Sequence, residues 1–233
     1  DATGIANIYI DGSIKTLKAA LHGSEFLEYK YKELVEMFKG HSQGLLGHHR
    51  YATMGANTDD NAHPYTFDHI TGIHNGWLSS SLHKLPHRSK HPVDSQQLYD
   101  SIAKKGVDET IKALTNRDAW ALIWWDATDE KFYFLRNGRP LWYRFDKSNS
   151  VMWAMSEYRM GDFVLGRKDI EMHGDKWLEF KEDKLYSLDP SKANLELAEE
   201  RAIIPAGNVV PFVYQPINRP ESYEKWLEEH RSK

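Results

Sequence analysis

The run Gly47-His48-His49-Arg50-Tyr51-Ala52-Thr53-Met54-Gly55 decides how this chain is read, together with Asn61-Ala62-His63-Pro64 and Ile73-His74-Asn75-Gly76 downstream of it. In the first and third of these pieces a strand-like stretch gives way to polar residues and glycine. Strand ends that turn polar are where binding and catalytic groups collect, because the strand holds them and the loop exposes them. Asp94 adds a fourth polar position, at the head of a helix predicted over 95–105 and stopped by Gly106.

Working outward, residues 4–10 and 13–21 read as two strands joined at Asp11-Gly12, a strong hairpin signal. Residues 24–39 read as one helix with Phe26, Leu27, Leu34, Val35 and Phe38 on its apolar stripe and Gly40 as its stop. Strands are predicted near 44–52 and 68–75, with a polar loop between them. From 119 the pattern returns to strands, at Ala119–Trp125, Lys131–Arg136, Leu141–Phe145 and Val151–Met155. A short helix near 157–165 and strands around 176–180 and 184–188 follow. The tail from Asp189 holds five of the nine prolines and is expected to wrap the surface before a last helix near 220–231. Strand runs, then helices, then strands describe an α+β chain; there is no regular strand–helix–strand alternation and no glycine-rich phosphate loop.

Composition narrows the function classes. The 233 residues are 40% hydrophobic and 27% charged, with a net charge of −4, which gives no electrostatic reason to expect nucleic acid or an acidic membrane surface as partner. No apolar run approaches a membrane span, and Asp1-Ala2-Thr3-Gly4 does not read as a signal peptide. There are no cysteines, so these residues form neither a disulfide framework nor a thiolate metal site. A reducing, cytoplasmic compartment is the expectation. Nine of the twelve histidines fall between His41 and His91, which raises the question of a metal. His48 and His49 point to opposite faces of a strand, and no H-x-x-x-H or H-E-x-x-H spacing sits in a helical context, so no metal site is expected. No cofactor is expected either. The short basic loop of Lys84, His87, Arg88, Lys90 and His91 reads as a solvated surface.

The order and spacing of G-H-H-R-Y-A-T-M-G, N-A-H-P, I-H-N-G and the helix-opening Asp94 resemble those of class II glutamine amidotransferases. In motif style the nearest are the glutaminase domains of glucosamine-6-phosphate synthase and amidophosphoribosyltransferase. More of the chain follows the same plan. Asp1-Ala2-Thr3-Gly4-Ile5-Ala6 resembles the end of the family's R-G-x-D-[ST]-x-G-[IL]-A segment. Phe134 to Leu141 resembles A-R-[ND]-G-x-x-P-L, and Ala154 to Glu157 resembles the A-S-E that follows. The resemblance covers roughly 1–189.

It implies a four-layer αββα sandwich of the N-terminal nucleophile hydrolase type, in which an N-terminal cysteine attacks the glutamine side-chain amide. It also implies roles that the residue chemistry permits. Arg50 would grip the α-carboxylate of glutamine and Asp94 its α-ammonium. Asn75 (side-chain amide) and Gly76 (backbone N–H) would form the catalytic oxyanion hole, and Tyr51 and Thr53 would line the pocket. Taken singly, each residue has a plainer reading: Arg50 as a surface ion pair, Asn75-Gly76 as a turn, Asp94 as a helix cap. Their common register favours glutamine.

Two features depart from the family pattern. Met54 stands where the sugar-phosphate synthases carry His, and Asp1 aligns inside the first motif rather than at its start. The expected organisation is therefore an amidotransferase domain over 1–189 lacking its first strand, then a tail over 190–233. On that reading, a structure should leave a strand position open beside the 4–10 hairpin. The expected function is hydrolysis of glutamine to glutamate and ammonia, delivered to a synthase subunit on another chain, with these residues lacking the nucleophile. The alternative is a catalytically inactive binding or assembly module of the same fold. A mature hydrolase acting on another substrate is disfavoured, because Asp1 cannot serve as the nucleophile.

Overall fold

The computed structural model describes residues 1–205 apart from 79–80, 88, 116, 147–149 and 167–175. It opens with β1 (Ala2–Tyr9) and β2 (Ile14–Ala19), paired antiparallel through the predicted turn, where Gly12 takes φ +81° and the Asp11 carboxylate accepts from the Ser13 N–H at 2.9 Å. β3 (Ser42–Arg50) pairs along the other side of β1, so β1 is the middle strand of a three-stranded sheet. The open edges of this sheet, among the described residues, are therefore those of β2 and β3.

Between β2 and β3 the chain forms α1 (Gly23–Tyr29) and α2 (Tyr31–Met37), broken at Lys30, where the periodicity predicts one longer helix. The expected stripe is met in part, at Phe26 and Leu34. Phe26, Leu34 and Met37 are buried, whereas Leu27, Val35 and Phe38 of the expected stripe are exposed. Phe26 and Leu34 pack with Ala19, Ile5 and Leu17, which fixes these helices on the three-stranded sheet.

The second sheet has six strands in the order β12-β11-β7-β6-β5-β4. These are β4 (Tyr65–Phe67), β5 (Ile70–Trp77), β6 (Ala119–Asp126), β7 (Lys131–Asn137), β11 (Lys184–Leu188) and β12 (Leu197–Ala202). The expected strand at 68–75 is in fact part of a hairpin, turned at Asp68 with φ +49°. β12 lies in the segment that reads as a surface tail, yet it pairs along β11 from Leu197 to Ala202. The helix expected near 220–231 lies outside the described residues. A small third sheet joins β8 (Trp142–Asp146), β9 (Val151–Met155) and β10 (Leu178–Glu179), with α5 (Tyr158–Gly166) following β9.

β6 explains the packing. Its sequence Ala-Trp-Ala-Leu-Ile-Trp-Trp is buried at every position, which marks a strand covered on both faces. Trp120, Leu122 and Trp124 join a cluster with Leu98, Tyr99, Ile102, Ile111 and Leu114. Those five come from α3 (Asp94–Lys105), α4 (Val107–Ala113) and the residue after it. Ala121, Ile123 and Trp125 point the other way, into a cluster with Ala6, Ile8 and Leu46 of the three-stranded sheet. The six-stranded sheet thus has helices on one face and strands on the other. Truncating a buried tryptophan of this kind typically costs about 3–5 kcal/mol.

Candidate functional site

β3 and β5 end at the same place, and α3 begins there. The result is a cleft of about 210 Å³, whose lining includes Arg50, Tyr51, Thr53, Asn75, Gly76 and Asp94, all the site residues that the sequence singles out. They come from the end of β3, the loop after it, the end of β5 and the first turn of α3. Sequence reasoning does not assign roles to His48, His63, His74 or Arg139, which also line it. Each lies inside a motif already quoted, so the signal is present in the neighbours.

Arg50 is 4% exposed, and its guanidinium donates to the carbonyls of Met54 and Ala56, the latter at 3.5 Å. Asn61 fastens the same loop, donating to the Ala56 carbonyl at 2.9 Å. The loop 51–56 is therefore folded around the arginine, which keeps further donors for a ligand. Tyr51, by contrast, is 80% exposed at the rim.

Asp94 is equally buried. It is the first residue of α3, not its cap, a position that Val93 takes. Its carboxylate accepts from the Leu78 N–H at 3.0 Å and the Ser95 N–H at 2.8 Å. An anion in the first turn also meets the positive end of the helix dipole. The Ser95 hydroxyl lies 3.3 Å from the same carboxylate and 2.8 Å from His74 Nδ1. A hydroxyl has one proton, and the carboxylate is the stronger acceptor; His74 Nδ1 then carries the ring hydrogen and Nε2 is bare. Among the described residues that buried Nε2 has no hydrogen-bond partner.

Three imidazoles thus stand in the cleft wall. Burial pulls His48 down to about 4, with His74 next to it adding to the shift. Complete burial, and then His48, holds His63 well below the usual imidazole range. His74 is lowered by burial against the opposing pull of Asp94. The His48 and His63 rings lie 4.1 Å apart, and among the described residues neither nitrogen of His63 has a partner. At neutral pH the wall is therefore uncharged imidazole, with a cation at Arg50 and an anion at Asp94.

Asn75 and Gly76 sit in β5 opposite Ala121 and Trp120 of β6. Asn75 is exposed, while Gly76 has φ +146° and no room for a side chain. An exposed carboxamide beside a glycine backbone supplies neutral donors at a fixed place, which suits a developing oxyanion.

No protein-family model matches this chain. Curated relatives do. A glutamine–fructose-6-phosphate aminotransferase of Gluconobacter oxydans is 26% identical over 242 residues, 96% of this chain and 38% of the relative. One of Sulfurisphaera tokodaii is 28% identical over 159 residues, 60% of this chain and 26% of the relative. The chain thus spans well under half the length of these relatives. Among solved structures, a glutamine aminotransferase class-II domain protein from Silicibacter pomeroyi superposes with a TM-score of 0.56 at 12% identity. The superposition covers 88% of this chain and 92% of that one, a likeness of fold.

Proposed function

We propose a glutamine-handling role for this chain, whose resemblance to the class II glutamine amidotransferases is carried by its motifs and its relatives alike. The observation that carries the reading is the meeting of a buried arginine and a buried aspartate in one cleft with Asn75 and Gly76. A free α-amino acid has a carboxylate and an ammonium on one carbon, so its site needs a cation and an anion close together. Arg50 takes the carboxylate with its planar fork, Asp94 takes the ammonium, and Tyr51 and Thr53 flank the side chain. The glutamine amide oxygen then lies against Asn75 and the Gly76 N–H, which hold the charge that develops when the amide is attacked.

The reaction is hydrolysis of glutamine to glutamate and ammonia, the latter passed to a synthase on another chain. None of these 233 residues is a cysteine, so the attacking thiol is not among them. β3 has a free outer edge among the described residues and delivers Arg50 to the cleft. A strand bearing the nucleophile, paired along that edge, would arrive beside the amide. The order α1 and α2, three-stranded sheet, six-stranded sheet, α3 and α4 supports an αββα sandwich of the N-terminal nucleophile hydrolase type.

Calorimetric titration of the 233-residue chain with L-glutamine tests the binding half of this reading. Arg50→Ala and Asp94→Ala are each expected to weaken binding by about ten- to a hundredfold, the value of roughly 1.5–3 kcal/mol for a charge-assisted hydrogen bond. Glutamine affinity unchanged in a folded Arg50→Ala protein overturns the site assignment. The chain alone is expected to release no ammonia. In a longer version carrying a cysteine on the preceding strand, Asn75→Ala should lower kcat with little change in KM. A longer version that binds glutamine and still releases no ammonia would favour the inactive binding module.

A further inference from the structure

Outside the imidazole wall, two side chains distant in sequence converge on His49, which itself lines the cleft. Asp1 precedes β1, His22 precedes α1, and His49 lies in β3. One ring nitrogen from each histidine and one carboxylate oxygen of Asp1 all lie within 4.8 Å of one another. His49 Nε2 is 3.6 Å from the Asp1 carboxylate, and the two imidazole rings meet edge to face with centroids 4.9 Å apart.

The surrounding hydroxyls fix where the protons are. Thr3 donates its single hydroxyl proton to the Leu21 carbonyl at 2.8 Å. Toward His49 Nδ1, at 2.9 Å, the same oxygen can only accept, so Nδ1 carries the ring hydrogen. Nε2 of the neutral ring then turns a lone pair toward the Asp1 carboxylate. A lone pair facing an anion is repulsive until a cation lies between them. The His22 ring is also anchored, with Ser24 Oγ 3.1 Å from its Nδ1. Two imidazoles and a carboxylate, the rings steadied by outer hydrogen bonds, form a donor set suited to Zn²⁺ and its first-row neighbours.

We propose that Asp1, His22 and His49 form a binding site for a divalent transition-metal ion, Zn²⁺ by preference, which clamps β1, the start of α1 and β3 together at the rim of the cleft. This inference does not depend on the glutamine reading. Sequence patterns offer no hint of it, because the ligands lie 21 and 27 residues apart and belong to no spacing motif.

The full chain, stripped with chelator and returned to chelator-free buffer, is titrated calorimetrically with Zn²⁺ alone. Co²⁺ absorption serves as a second readout. One equivalent is expected to bind, with a rise in Tm and a Co²⁺ ligand-field spectrum of low-coordinate type. His22→Ala, His49→Ala and Asp1→Asn should each weaken binding by at least about tenfold, or about 1.4 kcal/mol. His41→Ala, just before the start of β3, should bind as the parent does. Failure of the parent to bind Zn²⁺ overturns the proposal, as does an affinity that survives both His22→Ala and His49→Ala. Circular dichroism of the variants keeps loss of fold distinct from loss of ligand.

Discussion

Gly76→Ala is expected to destabilise the fold by several kcal/mol and to remove ligand binding with it. At φ +146° the backbone of Gly76 occupies a region that side chains rarely adopt, a strain of about 1–3 kcal/mol for any other residue. A Cβ placed there would lie 2.1 Å from the Ala119 carbonyl oxygen and 2.7 Å from the Trp120 Cα. Both atoms belong to the backbone of β6, which is packed on both faces and cannot yield as a flexible side chain would. Overpacking of a tight interior adds about 1–3 kcal/mol more. Gly47→Ala is the control: a Cβ at that position would meet nothing within 4 Å, so its midpoint should match the parent's. Urea unfolding of the three proteins provides the comparison. A Gly76→Ala midpoint equal to that of Gly47→Ala would mean that β5 can move away from β6, contrary to this account.

Stability is expected to fall steeply between pH 6.5 and 5, before most carboxylates titrate. His48, His63 and His74 are all held below the ordinary imidazole range, His48 at about 4. In the unfolded chain each would protonate near pH 6.5. Below that pH the unfolded state binds protons that the folded state refuses, so acid favours unfolding. Their contribution is complete above about pH 6.5 and is lost as the pH drops toward the folded values. Each imidazole kept neutral gives a limiting slope of roughly 1.4 kcal/mol per pH unit, so three give on the order of 4. Denaturation curves at pH 7, 6 and 5 measure the slope. His63→Phe retains a ring against His48 and Tyr65 while removing one titrating group, and should reduce the slope by about a third. A stability that is flat from pH 7 to 5 would show these imidazoles to be charged or solvated in the folded protein.

Much of the fold is legible where local pattern and tertiary environment agree. The strands β6 through β9 match their predicted bounds within a residue or two, since apolar runs bounded by turn residues leave few other conformations. The helix pair differs from expectation because the break at Lys30 has neither glycine nor proline to announce it, and only Phe26 and Leu34 of the expected stripe meet the sheet. The turn at Asp68 is likewise hidden, because a non-glycine residue adopts its positive φ. β12 is hidden for another reason. Its Glu199, Glu200 and Arg201 look like solvated tail, and only pairing with β11 makes them a strand. At the site, the polar strand ends single out residues that meet in one cleft. They do not reveal the loop wrapped on Arg50, or the burial of three imidazoles, which depends on contacts between segments distant in sequence.

Among the described residues, the six-stranded sheet ends in β4, three residues long, on one side, and in β12 on the other. The latter carries Glu199 in ion pairs with Lys181 and Lys184, at 3.2 and 3.1 Å, while Arg201 is tied to Asp108 of α4. A foreign strand approaching β4 would find too few backbone groups to form a ladder, and one approaching β12 would have to displace fixed charges. Both margins are therefore poor templates for intermolecular pairing. This guards the most apolar sheet of the molecule against aggregation when concentrations are high.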